Sequence, residues 1–214
     1  MKKCVTVLDY GVGNLFSVSQ AFTFCGAEVK LADDAAEIIR ADYLVLPGVG
    51  AFGDAMTELN RRGFTEPIKR FAASGKPFLG ICLGMQMMME SSDEFGRHAG
   101  LGLIQGHVQA IPPEDASGLR HKIPHIGWNP LWPGRESPEW KNTVLETVTP
   151  GDAVYFVHSF TANCTDSRHS LAETEYAGRR LTAVVKSGPL YGCQFHPEKS
   201  GPVGLKIILQ FLQL

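Results

Sequence analysis

The first half of the chain alternates short apolar runs with amphipathic stretches, and that rhythm confines the fold. Val5 to Asp9, Val29 to Ala32, Tyr43 to Pro47 and Phe78 to Cys82 are runs of strand length. Between the first two, Leu15, Val18, Ala21, Phe22 and Cys25 recur at helical spacing behind Asn14, a favoured N-cap residue, and Gly26 supplies a stop. Asp54 to Arg62 and Pro67 to Ala73 repeat the helical pattern, ended by Gly63 and Gly75. Strands joined by helices can return to a sheet in parallel, which a tight hairpin cannot do. From about Gly100 the pattern changes to closely spaced apolar runs broken by Pro, Gly and Asn, as in hairpins and meandering strands. The expected fold is therefore α/β, a mostly parallel central sheet flanked by helices with an antiparallel β extension.

Two further segments can be assigned. Pro133 to Asn142, rich in Pro, Gly and charge, reads as an exposed loop. Pro202 to Leu212 reads as a closing helix, with Ser200 near its cap and an apolar face through Leu205, Ile208, Leu209 and Leu212. A length of 214 residues suffices for a sizeable core, and one domain spanning residues 1–214 is the expectation.

Composition excludes several classes. A net charge of -2 gives no basic field for nucleic acid or an anionic membrane. The longest nearly apolar run, Phe78 to Met89, is far too short to span a bilayer, and Asp9 and Gly11 interrupt the N-terminal apolar stretch too early for a signal-peptide core. The five cysteines are odd in number and lack a C-x-x-C pair, which fits a reducing, cytoplasmic setting. His121 and His125 lie four apart, but Pro124 spoils a helical metal site and no acidic ligand accompanies them, so no metal and no cofactor are assigned.

The chemistry-bearing signal begins at Gly80-Ile81-Cys82-Leu83-Gly84. It follows a strand and opens a helical run, the setting of a nucleophile elbow. A sharp strand-to-helix turn brings backbone close together, so residues without a Cβ are needed on both sides of the nucleophile. Unpaired N–H groups and the positive end of a helix dipole at such a turn favour a thiolate. The bland alternative is a buried structural cysteine, and the five-residue motif alone balances the two readings evenly.

A thiol nucleophile needs a proton acceptor that can then protonate the leaving amine, and histidine suits both steps. His196 closes the apolar run Leu190 to Phe195 and is followed by Pro197 and Glu198. Pro197 favours extended backbone before it, which would set His196 and Glu198 on one face. The carboxylate could then hold one imidazole nitrogen and leave the other for Cys82. His158 lies in another strand and reads as a binding-site or core residue.

Taken together, Gly80-Ile81-Cys82-Leu83-Gly84-Met85-Gln86 and Gln194-Phe195-His196-Pro197-Glu198 resemble the signatures of class I glutamine amidotransferases. Asp9-Tyr10-Gly11-Val12-Gly13-Asn14, Pro47-Gly48-Val49-Gly50, Pro124-His125-Ile126-Gly127-Trp128-Asn129 and Tyr155-Phe156-Val157-His158-Ser159-Phe160 extend the likeness over essentially the whole chain. Within that family it resembles the glutaminase subunits of imidazole glycerol phosphate synthase. The resemblance implies a Cys82–His196–Glu198 triad that hydrolyses L-glutamine to glutamate and ammonia. It implies an oxyanion hole from Leu83 and the Gly48–Val49 loop, and glutamine contacts from Gln86, Gly50, His158, Ser159 and Phe160. Phe160 stands where the family often has tyrosine, so it offers no hydroxyl. A (β/α)8 cyclase partner forming a heterodimer is implied too, with Asn14, Trp128 and Lys199 near the interface.

Related amidotransferases commonly carry glycine where this chain has Val49, and valine resists positive φ. The expectation is a resting loop whose peptide points the wrong way until partner and acceptor binding turn it. Gly48-Val49-Gly50-Ala51-Phe52-Gly53 also spells a dinucleotide fingerprint, but Ala72 and Ala73 stand where a ribose-binding acid belongs. Other readings remain open: a paralogue that feeds ammonia to a sugar-aminating partner, a cysteine peptidase or DJ-1-like hydrolase, and a non-catalytic regulatory subunit. Gln86 together with His-Pro-Glu argues against the peptidase and hydrolase.

Overall fold

The structure, a computed structural model, describes residues 2–137 and 139–214. The expected α/β alternation is present. Strand β1 (Cys4–Leu8) leads through helix α1 (Leu15–Phe24) to β2 (Glu28–Ala32), and α2 (Ala35–Arg40) leads to β3 (Tyr43–Gly48). Helices α3 (Phe52–Arg61) and α4 (Thr65–Ala73) precede β4 (Phe78–Cys82), which turns directly into α5 (Leu83–Met87). Short strands follow: β5 (Met89–Ser92), β6 (His98–Ala99), β7 (Ile104–Ala110), β8 (His125–Pro130) and β9 (Trp132–Pro133). The last are β10 (Ala153–His158), β11 (Phe160–Cys164), β12 (Ser170–Tyr176), β13 (Arg179–Ser187) and β14 (Leu190–Cys193), before the closing helix α6 (Gly201–Phe211).

The main sheet has the order β2-β1-β3-β4-β14-β13-β12-β9. Its pairings from β2 to β14 are parallel, and those from β14 to β9 are antiparallel. Alternate residues of the parallel strands enter different cores, as a sheet covered on both faces requires. Val5, Val7, Tyr43, Val45, Leu79 and Ile81 join the core closed by α1 and α6. Leu8, Leu44, Leu46 and Phe78 face the core under α3 and α4. Two smaller sheets, β10-β8 and β11-β7-β5-β6, complete the antiparallel part.

Three expectations need correction. The apolar face of α6 runs through Gly204, Ile207, Ile208 and Phe211, while Leu209 is exposed. The segment Pro133 to Asn142 is not a free loop among its described residues: Trp140 is buried and its indole N–H donates to the Leu171 carbonyl at 3.1 Å. Pro138 of that segment, like Met1, lies outside the described residues. His196 and Glu198 do not share a continuing strand, because β14 ends at Cys193 and Pro197–Lys199 form a 3-10 turn.

Candidate active site

Three neighbouring parallel strands, β3, β4 and β14, end on the same edge of the sheet. Beyond the carboxyl ends of such strands, loops can converge without breaking sheet pairing, the usual location of ligand sites in open α/β sheets. The glycine loop after β3, the nucleophile elbow after β4 and the His196 segment after β14 meet there.

Cys82 has φ 54° and ψ -111°, a left-handed conformation for a residue with a side chain. That strain belongs to the turn from β4 into α5, and the buried Cys82 lines the cavity there. The flanking glycines are dictated by close approach. A Cβ on Gly84 would stand 1.8 Å from the Leu46 carbonyl oxygen, and one on Gly80 2.7 Å from the Met85 nitrogen. Neither clash involves a mobile side-chain tip, so relief would need backbone movement.

His196 Nδ1 lies 2.8 Å from Glu198 Oε1, with both side chains almost fully buried. The predicted contact is therefore present, although a 3-10 turn makes it. Its backbone is clamped by β10: the His196 N–H donates to the Tyr155 carbonyl, and Ser200 Oγ accepts from Tyr155 N–H while donating to the His196 carbonyl. Ser200 thus spends its hydroxyl on the histidine rather than on capping α6. Gly204 lets α6 sit on this turn, since a Cβ there would lie 1.9 Å from the Pro197 carbonyl oxygen. Burial alone would pull the His196 pKa down, but hydrogen bonds to the Cys82 sulfur and the Glu198 carboxylate push it up to about 9.

Cys82, His196, Leu83, Gln86, Val49 and Gly50 line one cavity of about 330 Å³, closed on its far side by His158, Ser159 and Phe160. Gly48 stands behind this wall. It is held beneath Tyr10, whose hydroxyl donates to the Pro47 carbonyl at 3.0 Å and would lie 2.7 Å from a Cβ on Gly48. Val49 is half-exposed and is not among the described non-glycine residues with positive φ, whereas Gly50 has φ 94°.

Gln86 Nε2 donates to the Phe160 carbonyl at 3.1 Å and to Gln194 Oε1 at 3.0 Å, which leaves its carbonyl oxygen for a ligand. His158 Nδ1 donates to the same Phe160 carbonyl at 2.7 Å, and its Nε2 lies 3.0 Å from His125 Nδ1. Burial lowers the His158 pKa to about 3, so the ring is neutral and acts as a strut between β10 and β11. His125, stacked between Phe156 and Tyr176, supports it from β8.

Sequence reasoning missed four contributors. Glu94 lines the cavity and accepts from Phe52 N–H at 2.6 Å, capping α3 where Ala51 has no side chain to do so. Tyr10, His125 and Gln194 are the others; Gln194 stood in the quoted motif two residues before His196. Gly53, which completed the apparent dinucleotide fingerprint, has a packing reason instead: a Cβ would meet the His98 ring at 2.7 Å.

Of the residues assigned to a partner face, Trp128 is 56% exposed. Lys199 is exposed on the 3-10 turn, and Gly201 beside it approaches the Trp128 ring. Asn14 caps α1, accepting from Ser17 N–H at 3.3 Å.

The family model for class I glutamine amidotransferases matches residues 6–213. The chain is 56% identical over 210 residues to the imidazole glycerol phosphate synthase subunit HisH 1 of Legionella pneumophila (strain Lens), covering 98% of this chain and 99% of that protein. It is 43% identical to the HisH subunit of Listeria monocytogenes serotype 4a (strain HCC23), covering 98% of this chain and 95% of that protein. The solved structure of PurLQS from Thermotoga maritima shares the fold with a TM-score of 0.71 at 22% identity, over 100% of this chain and 99% of that one. With an elbow cysteine, a carboxylate-held histidine and this end-to-end likeness, the chain belongs to the class I glutamine amidotransferase family.

Proposed function

We propose that this chain is the glutaminase subunit of an imidazole glycerol phosphate synthase, acting in histidine biosynthesis. It hydrolyses L-glutamine and passes the ammonia to a (β/α)8 cyclase that makes imidazole glycerol phosphate and AICAR. The observation that carries the chemistry is the backbone of Cys82, turned to positive φ at a cavity wall shared with His196. Near full-length identity to HisH subunits supports the choice of pathway.

In this reading Cys82 attacks the side-chain carbonyl of glutamine as the thiolate. The His196 imidazolium protonates departing ammonia, which leaves a γ-glutamyl thioester, and the neutral ring then activates water to release glutamate. Glu198 fixes the ring's tautomer by accepting from Nδ1–H, so that Nε2 faces the reaction. Leu83 N–H supplies one oxyanion donor and the Gly48–Val49 loop the second, each contributing about 2.7–4 kcal/mol to transition-state stabilisation. Gln86 Oε1 and Glu94 offer acceptors for the substrate's ammonium group, with Ser159 and Phe160 completing the wall. His158 acts by holding the Phe160 carbonyl.

Asn14, Trp128 and Lys199 form part of the proposed heterodimer face. The whole of residues 1–214 acts as one catalytic unit in the cytoplasm, where its five free thiols stay reduced. The test is synthase product formation from glutamine by this chain plus a candidate cyclase, with an enzymatic ammonia scavenger in the medium. Product formation that resists the scavenger is expected. Product that forms only with added ammonia would overturn the channelling role.

A further inference from the structure

We propose that Gln194 is a further catalytic residue, whose side-chain amide donates to the Cys82 sulfur and holds the attacking thiolate, its direction set through Gln86 by the Phe160 carbonyl. This rests on the reading of Cys82 as the nucleophile. Gln194 is completely buried just past the end of β14. Its Nε2 lies 3.7 Å from Cys82 Sγ, and its Oε1 lies 3.0 Å from Gln86 Nε2.

An amide can be turned either way round, but here its partners decide. The Phe160 carbonyl oxygen can only accept, so the Gln86 atom 3.1 Å from it is the NH2 nitrogen. That same nitrogen faces Gln194, so the Gln194 atom it meets is the oxygen. The NH2 of Gln194 is therefore the end turned toward sulfur. Reversal would set two NH2 groups against each other and place a carbonyl oxygen against the thiolate. The carbonyl that anchors the chain is itself held by His158 Nδ1 at 2.7 Å.

A hydrogen bond to an anion is stronger than one to its neutral form. The Gln194 amide therefore favours the thiolate over the thiol and restrains the sulfur laterally while it waits for substrate. His196 lines the same cavity, and the Cys82 sulfur helps to raise its pKa. Among the described residues, the other titratable groups around the sulfur are Glu198 behind His196, Tyr10 against the β3 loop, and Glu94 and His158 on the cavity wall. Gln194 adds a donor whose strength does not change with pH.

The test is the rate of Cys82 alkylation by iodoacetamide across pH, followed by peptide mapping in the purified full chain, which needs neither glutamine nor partner. Gln194→Met keeps the volume but removes the donor. Gln194→Glu keeps the acceptor for Gln86 and sets a carboxylate against sulfur. Gln86→Leu leaves Gln194 in place but removes what fixes its direction. Alkylation at neutral pH should fall about tenfold in Gln194→Met, further in Gln194→Glu and less in Gln86→Leu, with each profile displaced to higher pH. Glutaminase activity should fall through kcat more than through KM.

Circular dichroism identifies which variants fold. A wild-type alkylation profile in either folded Gln194 variant would overturn the proposal. If neither folds, a wild-type profile in Gln86→Leu would do so. Failure of the nucleophile reading has a different signature: wild-type Cys82 reacting no faster than the other four cysteines, with glutamate release retained in Cys82→Ala.

Discussion

The His196–Glu198 pair does its work through proton affinity. Its folded-state pKa of about 9 lies above the ordinary 6.5. The protonated ring therefore contributes stability that is complete below about pH 6.5 and is lost as pH rises through about 9. In the proposed mechanism the same proton is the one delivered to departing ammonia, so the alkaline limb of kcat/KM should fall near pH 9 and report the coupled Cys82–His196 pair. In Glu198→Gln the carboxylate's contribution disappears. The limb should move to lower pH and activity should drop by roughly a hundredfold. A pH–rate profile is the check, and an unmoved alkaline limb would count against Glu198 as the group that holds the ring.

At this scale the sequence revealed residues whose chemistry is local and hid those whose role depends on distant partners. Cys82 was legible because its turn needs Gly80 and Gly84, and His196 because Pro197 and Glu198 adjoin it. Gln194 was hidden because its meaning lies in Gln86 and Phe160, 108 residues away and on another strand. Glu94 and His125 were hidden for the same reason, each joining elements far apart in the chain.

Among elements, the long periodic helices and the four early strands were readable to within a few residues. Helix α2 was not, being only six residues long, although Asp34 and Glu37 carry the capping pattern that marks its start. The last strand was read too long, because the apolar run Leu190 to Phe195 continues past the end of pairing at Cys193. The loop after β3 is the element whose conformation should govern rate. Tyr10 fixes its base through the Pro47 carbonyl, while Val49 projects half-exposed between Gly48 and the positive-φ Gly50. Replacing Val49 by Gly removes the Cβ that resists positive φ and should raise glutaminase activity without partner, by about tenfold if the barrier to turning falls by ~1.4 kcal/mol. Steady-state glutamate release by the isolated variant is the measurement; a folded Val49→Gly that stays at the wild-type rate would contradict gating by this residue.

Across the whole molecule, sheet order converts separate motifs into a site. β3, β4 and β14 are neighbours, so residues near 48, 82 and 194–198 converge although the chain separates the last group from the other two by more than a hundred positions. The two cores on opposite faces fix those strands, while the antiparallel strands β10 and β11 supply the outer wall and β10 clamps His196. The exposed Trp128 and Lys199 stand near the turn that carries Glu198 and begins at His196, so a partner docking there would contact the backbone that positions the histidine. The most direct test of this account is glutamate release from glutamine by the purified chain, with and without a candidate cyclase barrel and its ligand, using Cys82→Ala in parallel. Release that rises with the barrel and vanishes in Cys82→Ala is the predicted result; release that persists in a folded Cys82→Ala would contradict it.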